Sequence, residues 1–297
     1  MPWLQLKMEI KPEYSDQFED ILLAAGCAAV TYEDSADQPI FEPDLGTTPL
    51  WQHTTITGLF AAEHDVVQTE KFIRQAHKQI FDNSPFPPFK AEILEDKDWE
   101  REWMKNYHPM QFGKRLWICP SWRDVPDPTA VNLMLDPGLA FGTGTHPTTA
   151  LCLEWLDSQD LNKKTVTDYG CGSGILGIAA LLLGATHVIS VDIDPQALQA
   201  TRDNLQRNSL PDKLMDVYFP ENAPEVEVDV LVANILAGPL TSLAPILAKR
   251  VRQGGLIALS GLLNQQAEEL QNTYGEWFDL DPITEREEWI RITGRKR

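Results

Sequence analysis

Residues 168–174 read Asp-Tyr-Gly-Cys-Gly-Ser-Gly, after Thr165-Val166-Thr167 and before the apolar run from Ile175 to Leu183. A short β-rich run, a turn with three glycines and a segment of helical periodicity predict a strand, a tight loop and a helix. Glycines let the backbone close on a ligand where any Cβ would collide. This stretch therefore predicts the opening of a Rossmann-like unit with a bound cofactor.

Two cofactors compete for this turn. Residues 172–177 match the dinucleotide pattern G-x-G-x-x-G, and Asp192 lies at a suitable distance to hold a ribose. However, Asp168 would repel a pyrophosphate at the following helix N-terminus. S-adenosyl-L-methionine has no phosphate and carries a sulfonium and an ammonium, so an acid at the loop entrance favours that cofactor. A glycine-rich turn without a ligand is the third interpretation.

Composition indicates a globular protein with an acidic surface. The chain has 297 residues, of which 43% are hydrophobic and 23% charged, and its formal charge is −19. A surface this acidic disfavours nucleic-acid binding and favours a basic protein or a small cation as partner, although acidity can also serve solubility alone. No long apolar run and no signal-peptide pattern occur, so we expect a cytoplasmic location and no membrane association.

The four cysteines do not predict a metal site. Cys27, Cys119, Cys152 and Cys171 are scattered without metal-ligand spacing. We interpret them as buried free thiols, and we expect no metal.

Residues 1–95 predict a first domain with the element order βαββαβ, which is the ferredoxin-like split motif. The predicted elements are strands at 3–10, 27–32, 54–60 and 89–94 and helices at 13–25 and 65–80. This segment has sixteen acidic and six basic residues, a formal charge of −10, and no catalytic constellation. We interpret it as the substrate-recognition domain; a regulatory or merely stabilising domain is the alternative.

Residues 96–110 predict a helical linker. Trp99, Trp103 and Tyr107 recur at a spacing of four, which places the three rings on one helix face. Packing is the commonest role of such a stripe. The linker helix would fix the orientation of the two domains or act as a hinge between them.

Residues 111–297 predict an α/β domain with a doubly wound, mostly parallel sheet. The predicted strands are 116–119, 131–135, 165–167, 187–191, 215–218, 228–233, 256–260, 276–280 and 288–292, with a Gly254-Gly255 break after a helix over 240–251. The last two strands would form a hairpin that adds an antiparallel edge. A glycine- and threonine-rich loop at 136–149 precedes the helix through about Leu156, and its His146 is more often structural than a general base.

Three polar side chains fall at the predicted carboxyl ends of the parallel strands, where ligands bind in such sheets: Asp168, Asp192 and Asn234. We expect Asp192 to accept hydrogen bonds from both ribose hydroxyls. The side-chain oxygen of Asn234 is suited to accept a hydrogen bond from an amine, although a simple turn role is the alternative.

Together these features resemble the class I S-adenosylmethionine-dependent methyltransferases and, more closely, the bacterial family that methylates ribosomal protein L11 of the large subunit. The resemblance covers nearly the whole chain and rests on Pro2-Trp3, Asp98-Trp99, Trp103, Phe141 to Thr149, Asp168 to Gly174, Asp192 to Asp194, Asn234 to Ala237 and Trp289 to Lys296. The loop Phe-Gly-Thr-Gly-Thr-His-Pro-Thr-Thr combined with Asn-Ile-Leu-Ala is much more specific than the glycine turn.

The resemblance implies that Thr149, Gly170, Asp192 and Asn234 contact the cofactor. Phe141, Gly172 and Asp168 complete our set of candidate cofactor-binding residues, and no residue is assigned as a catalytic base.

The resemblance also implies that lysine side-chain amines and the N-terminal amine of ribosomal protein L11 are trimethylated by an enzyme whose first domain grips the substrate. We expect a monomer. Asn234 is followed by Ile-Leu-Ala and not by Pro-Pro and an aromatic residue, so the resemblance does not imply an aromatic clamp on the target nitrogen. An NAD-dependent dehydrogenase and a non-catalytic ribosome-assembly binder are the rival hypotheses.

Overall fold

In the computed structural model the chain forms two compact units, an N-terminal unit over Met1–Met104 and a C-terminal unit over Lys105–Arg297. The structure describes residues 2–36, 38, 40, 47–81, 84–95, 107–136, 142 and 144–297. The predicted linker helix, apart from Tyr107, and the candidate residue Phe141 lie outside these described residues. Each unit is therefore considered by itself.

The N-terminal unit has the predicted βαββαβ order. Its elements are β1 Trp3–Ile10, α1 Ser15–Ala24, β2 Ala29–Asp34, β3 Thr54–Ala61, α2 Val66–Phe81 and β4 Phe89–Leu94. The sheet order is β2-β3-β1-β4, with every pair antiparallel. The alternating apolar residues of β1, from Leu4 to Ile10, pack with residues of both helices in one core. These features confirm the ferredoxin-like fold.

Strand β2 begins two residues later than predicted because the end of α1 uses the preceding residues. Gly26 has a φ of +95°, and the Cys27 N–H donates to the Leu22 carbonyl at 3.2 Å. Cys27 thus closes the helix in a Schellman-like turn and does not join the sheet.

The C-terminal unit alternates strands and helices along most of its length. A small sheet contains β5 Met110–Phe112, β6 Leu116–Cys119 and β7 Val131–Met134, and α3 Pro147–Ser158 follows it. The main elements are β8 Thr165–Tyr169, α4 Ile175–Leu182, β9 His187–Val191, α5 Pro195–Arg207, β10 Met215–Tyr218, β11 Val228–Asn234, α6 Ala237–Lys249, β12 Val251–Leu263, α7 Ala267–Tyr274, β13 Phe278–Leu280, β14 Thr284–Arg286 and β15 Trp289–Lys296.

The main sheet has the order β10-β9-β8-β11-β12-β15-β13, and β14 pairs with β15. Strands β8 to β12 run parallel, whereas β15 is antiparallel to both β12 and β13. One apolar core contains residues of α3, α4 and α5, and a second contains residues of α6 and α7, so helices cover both faces. The doubly wound, mostly parallel sheet is confirmed. Because the dinucleotide fold has the order 3-2-1-4-5-6 in one parallel sheet, the inserted antiparallel β15 counts against the dehydrogenase hypothesis.

Two predictions about the sheet were inaccurate. Gly254 and Gly255 do not separate α6 from a new strand, because β12 already begins at Val251. The pairing of β12 with β11 instead shifts between Val251 and Leu256, around Gly254, whose φ is +73°. The final strands pair antiparallel as predicted, but β15 extends to Lys296 and lies inside the sheet, so β13 forms the edge. The three-residue strands β5 and β14 were not predicted, because so few residues carry no readable periodicity.

Cys119, Cys152 and Cys171 are buried free thiols, as expected, whereas Cys27 is only half-buried. Within the described residues, no helix combines the length and apolarity needed to cross a membrane. The same residues contain no cluster of three or more histidine, cysteine or acidic side chains arranged for a metal ion.

Candidate active site at the carboxyl ends of the strands

A cavity of about 470 Å³ opens at the carboxyl ends of β8, β9 and β11. This volume lies within the range of small-molecule sites. Its described lining is mainly apolar and consists of His146, Thr148, Tyr169, Gly170, Gly172, Val191, Asp192, Ile193, Pro220, Asn234, Ile235, Leu236, Pro239, Leu243, Gly261 and Trp289. Polar groups are few and come from different elements, as expected for a site that orients a ligand.

The glycine turn after β8 requires glycine for two reasons. Gly170, Gly172 and Gly174 have φ values of +79°, +54° and +78°, a region that residues with a Cβ rarely adopt. In addition, a Cβ on Gly170 would lie 2.1 Å from Cγ2 of Ile235. The turn therefore passes directly under the loop that follows β11, and both segments form the cavity wall.

Asp192 is held at the cavity by backbone amides. Its Oδ2 accepts a hydrogen bond from the Gly172 N–H at 2.9 Å, and its Oδ1 accepts one from the Asp194 N–H at 3.0 Å. An ionised carboxylate has about four lone-pair sites, so acceptor capacity remains for hydroxyl groups of a ligand. The neighbouring Ile193 is 82% exposed and adds an apolar surface beside that carboxylate.

Asp168 lies behind the cavity wall, and the neighbouring Tyr169 and Gly170 line the cavity. The residue is fully buried, and its Oδ2 accepts a hydrogen bond from the Gly177 N–H at 2.8 Å. Its Oδ1 has no hydrogen-bond partner among the described residues. Burial raises the pKa of Asp168 to about 7; the Gly177 hydrogen bond opposes this rise and the charge of Asp192 adds to it. A positive charge in the cavity would favour the ionised form.

Asn234 and Thr149 form a hydrogen-bonded pair between β11 and α3. The Asn234 Nδ2 donates to the Thr149 Oγ1 at 3.2 Å, and Thr149 is fully buried. The Oδ1 of Asn234 is also buried but has no hydrogen-bond partner in the described part of the chain. A buried acceptor without a partner costs free energy, so an N–H donor from a ligand would stabilise this site.

His146 caps helix α3 and also lines the cavity. Its Nδ1 lies 3.4 Å from the Thr148 backbone nitrogen and 2.8 Å from the Thr148 Oγ1. Its ring meets Trp289 edge-on, with ring centroids 4.8 Å apart. Burial lowers the pKa of His146, whereas the charge of Glu287 raises it. His146 thus caps α3, and its ring also forms part of the cavity wall.

The structure brings six of the seven candidate residues to one place. Gly170, Gly172, Asp192 and Asn234 line the cavity, and Thr149 and Asp168 lie directly behind them. Sequence reasoning did not assign Ile193, Pro220, Leu236, Gly261 and Trp289 to the site. Ile193 and Leu236 adjoin the predicted strand-end residues, so the sequence could have indicated that they line the site. Gly261 and Trp289 reach it only through the long-range pairing of β12 with β15.

Comparison with known proteins identifies relatives over the full length of the chain. The family model described as "Ribosomal protein L11 methyltransferase (PrmA)" matches residues 2–297. A ribosomal protein L11 methyltransferase from Pseudomonas putida (strain GB-1) is 57% identical over 297 residues, covering all of both chains. One from Cellvibrio japonicus is 58% identical over 296 residues, which is 100% of this chain and 99% of the relative.

A solved structure shares the fold of a large part of the chain. The crystal structure of a ribosomal protein L11 methylase from Lactobacillus delbrueckii subsp. bulgaricus is 32% identical, with a TM-score of 0.59. The similarity covers 64% of this chain and 100% of that chain.

Proposed function

The chain belongs to the ribosomal protein L11 methyltransferase family, and we propose that it transfers methyl groups from S-adenosylmethionine to lysine side-chain amines and the N-terminal amine of ribosomal protein L11. One observation carries this proposal at the site. The apolar cavity presents a fixed carboxylate, Asp192, and a buried amide oxygen without a hydrogen-bond partner among the described residues, Asn234 Oδ1.

These residues fit the cofactor. Asp192 would accept hydrogen bonds from the ribose hydroxyls, and the turn at Gly170 and Gly172 would let the backbone approach the ligand. Thr149 would fix the amide of Asn234 through their hydrogen bond. Asp168 would stabilise positive charge from below the wall of the cavity. S-adenosylmethionine held by these residues would supply a methyl group on a positively charged sulfur. Its carbon–sulfur bond would break as the nitrogen–carbon bond forms, and the electron pair would return to sulfur.

The cavity prepares the acceptor amine by desolvation and alignment. A lysine amine with an ordinary pKa of about 10.4 must lose its proton to water before it can act as a nucleophile. The apolar wall lowers the pKa of an amine that enters it, and a nearby positive charge lowers that pKa further. Asn234 Oδ1, which has no hydrogen-bond partner among the described residues, would accept a remaining N–H of the amine and so orient its lone pair. In this scheme alignment provides much of the acceleration, and no side chain is required as a dedicated base.

We assign substrate recognition to the first domain, residues 1–95, and flexible presentation of the substrate to the linker, residues 96–110, which joins it to the methyltransferase domain, residues 111–297. The acidity of residues 1–95, with sixteen acidic and six basic side chains, supports a basic protein partner. We further propose that the enzyme is a cytoplasmic monomer that does not bind nucleic acid directly, consistent with its formal charge of −19.

Two measurements test the proposed function. Isothermal titration calorimetry should detect binding of S-adenosylmethionine and not of NAD; binding of NAD alone would support a dehydrogenase. Incubation with labelled S-adenosylmethionine and recombinant ribosomal protein L11 should label the protein, and mass spectrometry should locate the methyl groups on amines. A stable complex with L11 without label transfer would instead support a non-catalytic binder.

A further inference from the structure

The cavity has two chemically different ends along the sheet. Asp192, Ile193 and Pro220 follow β9 and β10 at one end, and Gly261 and Trp289 belong to β12 and β15 at the other. The strand order places β9 and β15 four strand spacings apart, about 19 Å in a regular sheet. Asn234 lies between them at the end of β11. A ligand held by Asp192 and Asn234 therefore leaves the β12–β15 end for a second reactant.

The second end of the cavity is aromatic and, in its described lining, contributes no carboxylate. Trp289 is half-buried, and the ring plane of His146 is inclined at 70° to its indole. Among the described lining residues, Asp192 at the opposite end is the only acid. An amine that reaches Trp289 would lie beside an aromatic ring and away from the Asp192 carboxylate, conditions that favour its neutral form before methylation.

The hairpin turn that leads into Trp289 is strained and acidic. Glu287 and Glu288 have φ values of +53° and +32°, the left-handed region in which such hairpin turns usually place asparagine or glycine. Arg286 anchors this turn to α3 through a 2.8 Å ion pair with Glu154. Strain of this kind persists where the surrounding structure imposes it, and it concentrates at functional sites.

The two glutamates on either side of Arg286 have different surroundings. The charge of Glu287 acts on His146, which lines the cavity. Glu285 instead accepts a 3.1 Å hydrogen bond from the Asn264 Nδ2. Glu287 lies in the two-residue turn directly before β15, which begins at Trp289, so it is close to the aromatic end of the cavity. Glu285 provides a control that is also acidic and exposed.

We propose that the β14–β15 turn forms the acceptor-amine side of the active site, with Trp289 as the ring wall against the amine that is methylated and Glu287 as the anion that draws its protonated form to the cavity mouth. This inference rests on the proposed function and specifies its acceptor site. Each methylation leaves positive charge on nitrogen, and an indole face stabilises such a cation most strongly away from water. A trimethylated nitrogen has no N–H to donate to Asn234, so the ring becomes its main stabilising contact.

Two substitutions at Trp289 test the ring wall in the full-length enzyme. Trp289→Leu should slow methylation of L11 by about 10-fold and accumulate mono- and dimethylated products, as loss of a desolvated cation–π contact predicts. Trp289→Phe removes part of the packing area but keeps a ring face, and it should restore most of the rate and of the trimethylated product. Affinity for S-adenosylmethionine should be unchanged in both. Equal behaviour of the two variants, or a loss of cofactor affinity that matches the loss of rate, would overturn the assignment.

Paired charge substitutions test Glu287. Glu287→Gln should raise KM for L11 several-fold at low ionic strength with little change in kcat, and the effect should shrink as salt screens the charge. Glu285→Gln should leave KM unchanged. If KM rises equally in both variants, the increase comes from the general charge of the surface. That result would contradict a specific role for Glu287.

A binding measurement separates this inference from the choice of protein substrate. Nα-acetyl-Nε-trimethyllysine amide should bind to the enzyme in the presence of S-adenosylhomocysteine, and Trp289→Leu should abolish that binding while Trp289→Phe keeps it. If wild-type enzyme binds this probe but does not label L11, the proposed substrate is wrong and the amine site stands. Binding that does not depend on the residue at position 289 refutes the amine site.

Discussion

The two units of the chain differ in what they bury and in what they expose. In the described part of the N-terminal unit, the buried side chains are apolar apart from three threonines and His77. Among the described residues, the N-terminal unit leaves one hydroxyl, Thr57 Oγ1, buried without a hydrogen-bond partner, whereas the C-terminal unit leaves a carboxylate oxygen, Asp168 Oδ1, and an amide oxygen, Asn234 Oδ1. A buried polar group without a hydrogen-bond partner costs stability unless a ligand pairs with it. This difference supports the proposal that the C-terminal unit performs the chemistry, while the N-terminal unit is proposed to hold a partner.

Removal of residues 1–95 tests this division of functions between the two units, and we expect it to have the largest effect on methylation of L11. The core of the N-terminal unit contains only its own residues, so the remaining chain keeps both cores of the C-terminal unit. Turnover of folded L11 should fall by about 100-fold or more, because a tethered recognition module raises the effective concentration of its substrate. Affinity for S-adenosylmethionine, measured by calorimetry, should stay close to the wild-type value.

The truncated protein must first show a cooperative thermal transition, which controls for misfolding. Turnover equal to that of the full-length enzyme would mean that the first domain does not recognise the substrate. Loss of cofactor binding in a folded truncation would show that the two units do not divide the functions as proposed.

Asp192→Ala should remove the fixed carboxylate of the cavity. Affinity for S-adenosylmethionine should weaken by roughly 1 to 3 kcal/mol, since the ribose hydroxyls lose a charged acceptor. Calorimetric titration measures this change, with Asp212→Ala as an exposed acid of the same unit for comparison. An affinity equal to that of wild type would exclude Asp192 from the site.

Comparison of Gly170→Ala with Gly254→Ala separates two causes of lost stability. One is close packing at the site, and the other is backbone strain, which also occurs elsewhere in the same unit. Both positions have φ values above +70°, but a Cβ at Gly170 meets Ile235 at 2.1 Å, whereas a Cβ at Gly254 has open space. Each variant should lose about 1 kcal/mol of its free energy of unfolding, because a residue with a Cβ disfavours the left-handed conformation. Gly170→Ala should lose about 1 to 2 kcal/mol more, because its Cβ displaces Ile235. Calorimetric unfolding of the two proteins measures the difference. Equal losses would mean that Ile235 moves away without cost.

Much of the fold and site was predictable because local patterns determined it. The turn at 168–174 and the acid Asp192 identified adjacent strand ends, and parallel pairing of β8 with β9 then brings Gly172 and the Asp192 carboxylate into contact. The alternation along β1 predicted the buried face of the N-terminal sheet. In these cases the periodicity of a short segment reports directly on burial.

The aromatic end of the cavity was not predictable in the same way. Trp289 reaches the site only because β15 inserts antiparallel between β12 and β13, a pairing that no local pattern encodes. The sequence showed only that Asn234 is not followed by the aromatic residue that other amine methyltransferases have near this position. The structure supplies an aromatic ring from a strand 55 positions further along the chain.

Asp168 gives the smallest expected effect, a pH dependence of cofactor binding. The pKa of Asp168 is about 7 in the free protein, above its ordinary value of 3.8, so burial favours its protonated form. The stability that this proton provides is present below the ordinary pKa and is lost as pH rises through about 7. A cationic cofactor reverses this preference, because it favours the ionised carboxylate and lowers its pKa.

Binding of S-adenosylmethionine should therefore release a proton below about pH 7, and its affinity should rise a few-fold between about pH 5.5 and 7.5. Calorimetry in buffers with different ionisation enthalpies measures the released protons. S-adenosylhomocysteine, whose sulfur is neutral, should release fewer, and Asp168→Asn should flatten the profile while its amide oxygen still accepts from Gly177. If the slope of affinity against pH is the same for both ligands, or for both proteins, the pH dependence comes from another group. The buried carboxylate of Asp168 would then no longer support the difference in function between the two units.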